Sequence, residues 1–120
     1  MSDKIEKFED LNVWKEAMKL TVQIYKELEN CKDFGLRDQI QRAAVSVPSN
    51  IAEGYERNSN KNFIRFLYIA KSSTGEVRTQ LYLCQTIGLI PKGRCSQLIE
   101  LTKKISAMLF QFIKVRRERF

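Results

Sequence analysis

Histidine is missing from this chain altogether. Its absence removes the commonest general base, the usual partner of a serine or cysteine nucleophile, and the commonest transition-metal ligand. It also excludes the Glu-x-x-His ligand pairs of di-iron helical bundles. Proline and glycine are scarce, at two and five residues. Sandwiches and barrels need turn residues at every reversal, so the scarcity favours long helices. Cys31, Cys84 and Cys95 are odd in number, far apart and free of any Cys-x-x-Cys spacing. That pattern fits reduced thiols used as small hydrophobes, as in the cytosol. No apolar run approaches membrane-spanning length, and the charged start MSDKIEKFED does not read as a secretory signal. The expectation is a cytoplasmic protein with no membrane partner and no cofactor.

What the chain does contain is a folded-protein composition, 43% apolar and 29% charged over 120 residues. Such a length suits one domain that can bury a core without disulfides. The formal charge of +7 is unevenly spread. Residues 1–60 hold 9 Lys/Arg against 11 Asp/Glu, whereas residues 61–120 hold 12 against 3. A pole this basic attracts polyanions, or the acidic half of another copy.

Periodicity divides the chain into four amphipathic helices over residues 9–30, 36–56, 61–87 and 92–117. In the first, Leu11, Trp14, Met18, Thr21, Tyr25 and Leu28 form the apolar stripe, and Asp10 suits an N-cap or first-turn position. In the second, Leu36, Ile40, Ala43, Ala44, Val47, Ile51 and Gly54 share a face that stays in phase across Pro48, so the helix runs through the proline and bends. Gly54 lets a neighbour approach closely, Phe63 or Phe66 being the residues to do so. Asn58 to Asn60 form the turn. Phe63, Phe66, Leu67, Ala70, Thr74, Val77, Leu81 and Cys84 form the inner face of the third helix. Gly88 suits a C-cap, and Pro91 the first residue of the fourth helix. There Leu98, Leu101, Ile105, Met108, Leu109 and Phe112 point inward. Four such helices with short turns describe an all-α, up-down-up-down antiparallel four-helix bundle.

A polar edge runs along helix 2 through Gln39, Arg42, Ser46, Asn50 and Glu53, with a matching edge on helix 3 through Arg65, Ser72, Glu76 and Gln80. Folding the hairpin about Ser59 sets Glu53 against Arg65, Ser46 against Ser72 and Arg42 against Glu76, with Gln39 near Gln80. Paired in that way the carboxylates are held ionised, which suits a structural seam that sets helix register better than acid–base chemistry. Two further groups face outward. Ile64, Tyr68, Gly75 and Tyr82 on helix 3, with Ile99 and Phe110 on helix 4, are the expected contact between copies in a homo-oligomer. Lys103, Lys114 and Arg117 share an outer stripe of helix 4, flanked by Lys104, Arg116 and Arg119, and Lys61, Lys71 and Arg78 add charge on helix 3. Such cations neutralise phosphates in a salt-dependent, sequence-tolerant way. No helix-turn-helix spacing, zinc-finger ligand set, RNP aromatic motif or phosphate-binding glycine loop is present.

The strings QIQRAAVSVPSNIAEGYER and NFIRFLYIAKSSTGEVRTQL, with FEDLNVWKEAMKL before them and IGLIP after, cover nearly the whole chain. In these the sequence resembles the four-helix-bundle proteins encoded in intervening sequences of bacterial 23S ribosomal RNA genes. The resemblance implies a homopentamer. It also implies kinship with accessory proteins of diversity-generating retroelements, which bind nucleic acid and a reverse transcriptase through basic surfaces. It carries over no catalytic residues. Three readings follow. The first is a non-enzymatic oligomer that binds RNA or DNA through helices 3 and 4. The second is a protein–protein adaptor whose basic face docks an acidic partner. The third is an enzyme built on Glu53 and Glu76.

Overall fold

The computed structural model describes residues 4–120 and places among them four helices and no strand. A short 3-10 turn, Phe8–Asp10, leads into α1 (Asn12–Glu27), α2 (Phe34–Glu56), α3 (Asn60–Ile87) and α4 (Lys92–Arg119). Each helix packs on its chain neighbours and α1 closes against α4, while neither diagonal pair meets, so the bundle is a square around one shared core. Leu20, Ile24, Ile40, Ile51, Leu67, Leu81, Ile105 and Leu109 are sealed inside it. Each contributes about 1.5–3 kcal/mol by leaving water.

The ends of the helices have local causes. The Asp33 carboxylate accepts the Leu36 N–H at 3.1 Å to start α2, and the Ser59 hydroxyl accepts the Asn62 N–H at 3.2 Å to start α3. Gly88 ends α3 with φ 78°, a left-handed conformation that favours glycine. Pro91 stands just before α4 as its cap rather than as its first residue, and the helix starts at Lys92, as the expected span has it. Asp10 does not cap α1. Its carboxylate instead accepts the Glu6 and Lys7 N–H groups at 3.1 and 3.3 Å and holds the preceding 3-10 turn, and α1 begins only after Leu11.

Helix α2 runs unbroken through Pro48, which is itself buried. A Cβ on Gly54 would lie 2.6 Å from Phe66 Cβ and 3.0 Å from Phe63 Cδ1, so both expected neighbours close on this glycine. The inner face of α3 is also as expected. Helices α1 and α4, however, sit rotated from their expected stripes. Val13, Ala17, Leu20 and Ile24 fill the core, while Met18 and Tyr25 stay 39% and 45% exposed. Thr21 does turn inward. Its hydroxyl lies 2.9 Å from the Ala17 carbonyl and 3.0 Å from the Ala44 carbonyl, which gives its proton an acceptor within the core. In α4, Ile99 and Ile113 are buried beside Leu98, Ile105 and Leu109, whereas Leu101, Met108 and Phe112 lie at the core's margin. Ile99, expected on the outer surface, is only 4% exposed and belongs to the core. Both errors have one origin: these helices carry apolar residues over more than half their circumference, so several stripes compete for the inward position.

Candidate nucleic-acid interface

On α3, Ile64, Tyr68, Lys71, Gly75, Arg78 and Tyr82 recur at alternating steps of four and three residues, which keeps them on one stripe. At Tyr68 and Lys71 that stripe borders α4. Aromatic residues expected at an oligomer contact and cations expected at phosphates therefore share one surface. Near the Arg117 end of α4 the two groups meet in a cleft of about 470 Å3 lined by Tyr68, Lys71, Ser72, Phe110, Ile113, Lys114, Arg117 and Glu118. The Arg117 guanidinium lies 5.5 Å from the centroid of the Tyr68 ring. Among the described residues no carboxylate comes within ion-pair distance of Lys71, Lys114 or Arg117.

The other expected phosphate-binding cations are placed differently. Lys103 pairs with Glu100 one turn away at 3.1 Å, and Lys104 reaches across to Glu16 on α1 at 3.1 Å. Arg116 is half-buried and tied to α3. Its Nε donates to Asn60 Oδ1 at 2.8 Å while Asn60 Nδ2 donates to the Arg116 carbonyl at 3.1 Å. Its guanidinium also stacks on Phe120 at 3.8 Å and on Phe63 at 5.0 Å. Burial pulls the Arg116 guanidinium below its ordinary pKa, with nearby Tyr55 acting the other way. Arg116 thus fastens the end of α4 to the start of α3 and is withdrawn from the basic surface. Lys61 and Arg119 are exposed and Arg78 is half-buried. Of the expected oligomer-contact residues, Tyr68, Tyr82 and Phe110 are exposed, Ile64 is half-buried against the core, and a Cβ on Gly75 would meet nothing within 4 Å.

The polar seam forms in part and in a different register. Ser46 bonds Ser73 at 2.9 Å rather than Ser72, and Asn50 Nδ2 donates to the Ser46 hydroxyl and carbonyl, both at 2.8 Å. Ser72 instead turns to the α3–α4 cleft. Neither expected ion pair exists. Glu53 bonds Arg57 one turn further along the chain at 2.9 Å, Arg65 stacks over Phe66 at 4.9 Å, and no ion pair joins Arg42 to Glu76. Glu76 accepts from Gln80 Nε2 at 3.5 Å, leaving the buried Gln80 Oε1 without a partner, and Gln39 is exposed. The reason is proximity. A partner within one turn of the same segment is reached by rotamer choice alone, whereas one across the helix pair requires the register to be right. Glu118 and Ile113 escaped attention in the sequence. Glu118 reads as part of a charged tail, and only the position of α4 against α3 brings it to the cleft.

Among the described residues no helix is long and apolar enough to cross a membrane. No curated protein matches the sequence. The fold matches a crystal structure of a protein with unknown function from the S23 ribosomal protein family of Bacteroides thetaiotaomicron VPI-5482. The TM-score is 0.80 at 27% sequence identity, over 85% of this chain and 98% of that one. The model of the 23S rRNA-intervening sequence protein family matches residues 9–111, and with that span, including the PSNIAEG string of α2 and the whole of α3, the chain belongs to this family.

Proposed function

We propose that this protein is a non-enzymatic homo-oligomer of four-helix bundles, a pentamer by the likeness of its sequence, that binds RNA or DNA without base preference through the basic surface of α3 and α4. The observation that carries the reading is the convergence of Lys71, Lys114 and Arg117 on one cleft with no ion-pair partner among the described residues. A cation that neutralises no carboxylate of its own chain is available to a phosphate, and its counterions are released on binding. The absence of histidine and the local pairing of Glu53 with Arg57 favour a binding role over an enzymatic one.

The test is the salt dependence of binding to a labelled nucleic acid, followed by fluorescence anisotropy. Three phosphates neutralised give a slope of log K against log salt of about −2 to −3. Lys71→Ala, Lys114→Ala and Arg117→Ala together should bring that slope close to zero. An affinity that ignores salt, or a triple variant that binds as well as the parent, refutes the reading. Light scattering on the same sample tests the assembly, with a mass five times the 14.1 kDa chain expected. Retention of an acidic protein after nuclease treatment, with no binding to nucleic acid, would establish the adaptor reading instead.

A further inference from the structure

The α3–α4 cleft has more than charge in it, and the surplus chemistry is aromatic. Tyr68 and Phe110 are 42% and 56% exposed. They line the same cleft as Lys71, Lys114 and Arg117, one ring from each helix. Resting on the nucleic-acid reading above, we propose that this cleft is a stacking subsite for an unpaired base of single-stranded nucleic acid. Tyr68 and Phe110 supply the faces on which the base stacks, and the three cations hold the phosphates beside it. In a duplex the bases are stacked on one another and only the backbone is offered, so the rings would have no partner there. In a single strand each base has a free π-face, and a basic groove with aromatic platforms is the recurring solution for it.

The remaining lining residues fit the same occupant. Ser72 and Glu118 place a hydroxyl and a carboxylate in the cleft, groups that hydrogen-bond the polar edge of a base. Glu118 also repels phosphate and so confines the backbone to the lysine side. Arg117, already stacked on Tyr68, extends the stack on the side of that ring away from the base. The cleft's volume of about 470 Å3 falls in the range of sites that take small organic groups. A second copy of the chain is the competing occupant of these rings, and a fall in molecular mass in the ring variants would identify it.

The experiment compares a labelled single-stranded RNA of about 12 nucleotides with the same strand annealed to its complement. Both are measured against the full chain and against Tyr68→Ala, Phe110→Ala and Tyr68→Phe. Both rings are exposed enough that truncation leaves no hole in the core. Each alanine variant should weaken single-strand binding by about 5- to 100-fold, leave duplex binding alone, and keep the salt slope, since no charge is removed. Tyr68→Phe should bind as the parent does. Unchanged single-strand affinity in both alanine variants overturns the stacking subsite while leaving the charge-based reading intact. So does equal loss on both probes, or a loss that tracks a fall in molecular mass by light scattering. No binding of the parent to either probe at low salt overturns both.

Discussion

Gly54→Ala is the sharpest test of how α2 and α3 meet. The added Cβ would lie 2.6 Å from Phe66 Cβ, 3.0 Å from Phe63 Cδ1 and 3.4 Å from the Phe63 carbonyl oxygen. Carbon atoms pack best at about 3.5–4.0 Å, so the first contact falls short by about 1 Å. Phe66 Cβ is fixed to the backbone, and no rotamer change moves it away; the helices must part. Overpacking of this kind costs about 1–3 kcal/mol, and a backbone-anchored clash belongs in the upper half of that range. Against it stands the gain from alanine over glycine inside a helix, about 1 kcal/mol. The net loss is about 1–2 kcal/mol, and for a chain of this length about 1 kcal/mol moves Tm by about 4 °C. Thermal unfolding followed by circular dichroism should therefore show Tm lower by about 4–8 °C, at matched protein concentration. Gly75→Ala in α3 is the control, because its Cβ meets nothing within 4 Å and only the helix-propensity gain remains, raising Tm by about 2–4 °C. A Gly54→Ala protein as stable as the parent, beside a stabilised Gly75→Ala protein, would show that the helices do not approach as described.

Removing the Asn60 side chain strips Arg116 of both its side-chain acceptor and the donor to its carbonyl, so Asn60→Ala should cost about 1–3 kcal/mol in urea denaturation. Arg116→Lys loses the Nε donor while keeping the charge, and the double variant should be little worse than either single one. A double-mutant cycle between Glu53 and Arg57 should give a coupling of about 0.3–0.5 kcal/mol, both side chains being half-exposed, and the cycle between Glu53 and Arg65 none; a large Glu53–Arg65 coupling would restore the cross-helix seam. Burial pushes the Cys84 thiol up from 9.0 to about 11, helped by Cys95 and Cys31 nearby. Because the folded value lies above the unfolded one, the stability it contributes is complete below pH 9.0 and is lost as the pH rises towards about 11, an effect of about 2–3 kcal/mol. Cys84→Ala should flatten the stability profile across that interval, and in the native parent at pH 8 alkylation should reach half-buried Cys31 well before Cys84 or Cys95.

The readable parts of the sequence were those where small residues marked the interface. Helix α2 was legible because Ala43, Ala44 and Gly54 hold phase with Ile40, Val47 and Ile51, and no other stripe on that helix offers a rival. Helix α1 was legible only at Leu11, Thr21 and Leu28, which are buried as expected, because Trp14, Met18 and Tyr25 make a bulkier stripe than Val13, Ala17 and Ile24. Size is a poor guide when close helix packing rewards the smaller residues. The seam shows how a shift of one residue in α3 acts: it rotates the side chain by about 100°, which is enough to exchange Ser72 for Ser73 and to leave Arg42 and Glu76 unjoined. For the basic surface, composition revealed the cations but not their obligations. Nothing in the local sequence separates Arg116, which is bonded to Asn60, from Arg117, which is not; the distinction depends on where α4 ends against α3.

The notch at Gly54 also limits how the molecule can move. Helix pairs in switching proteins ratchet by one turn, about 5.4 Å, between two alignments of similar energy. Here such a slide would carry Phe63 and Phe66 off Gly54 and onto its bulkier neighbours. It would also part Ser46 from Ser73. The α2–α3 pair therefore has a single setting, like a key with one cut. Any rearrangement that binding imposes must be taken up elsewhere, at α1 or along the groove between α3 and α4.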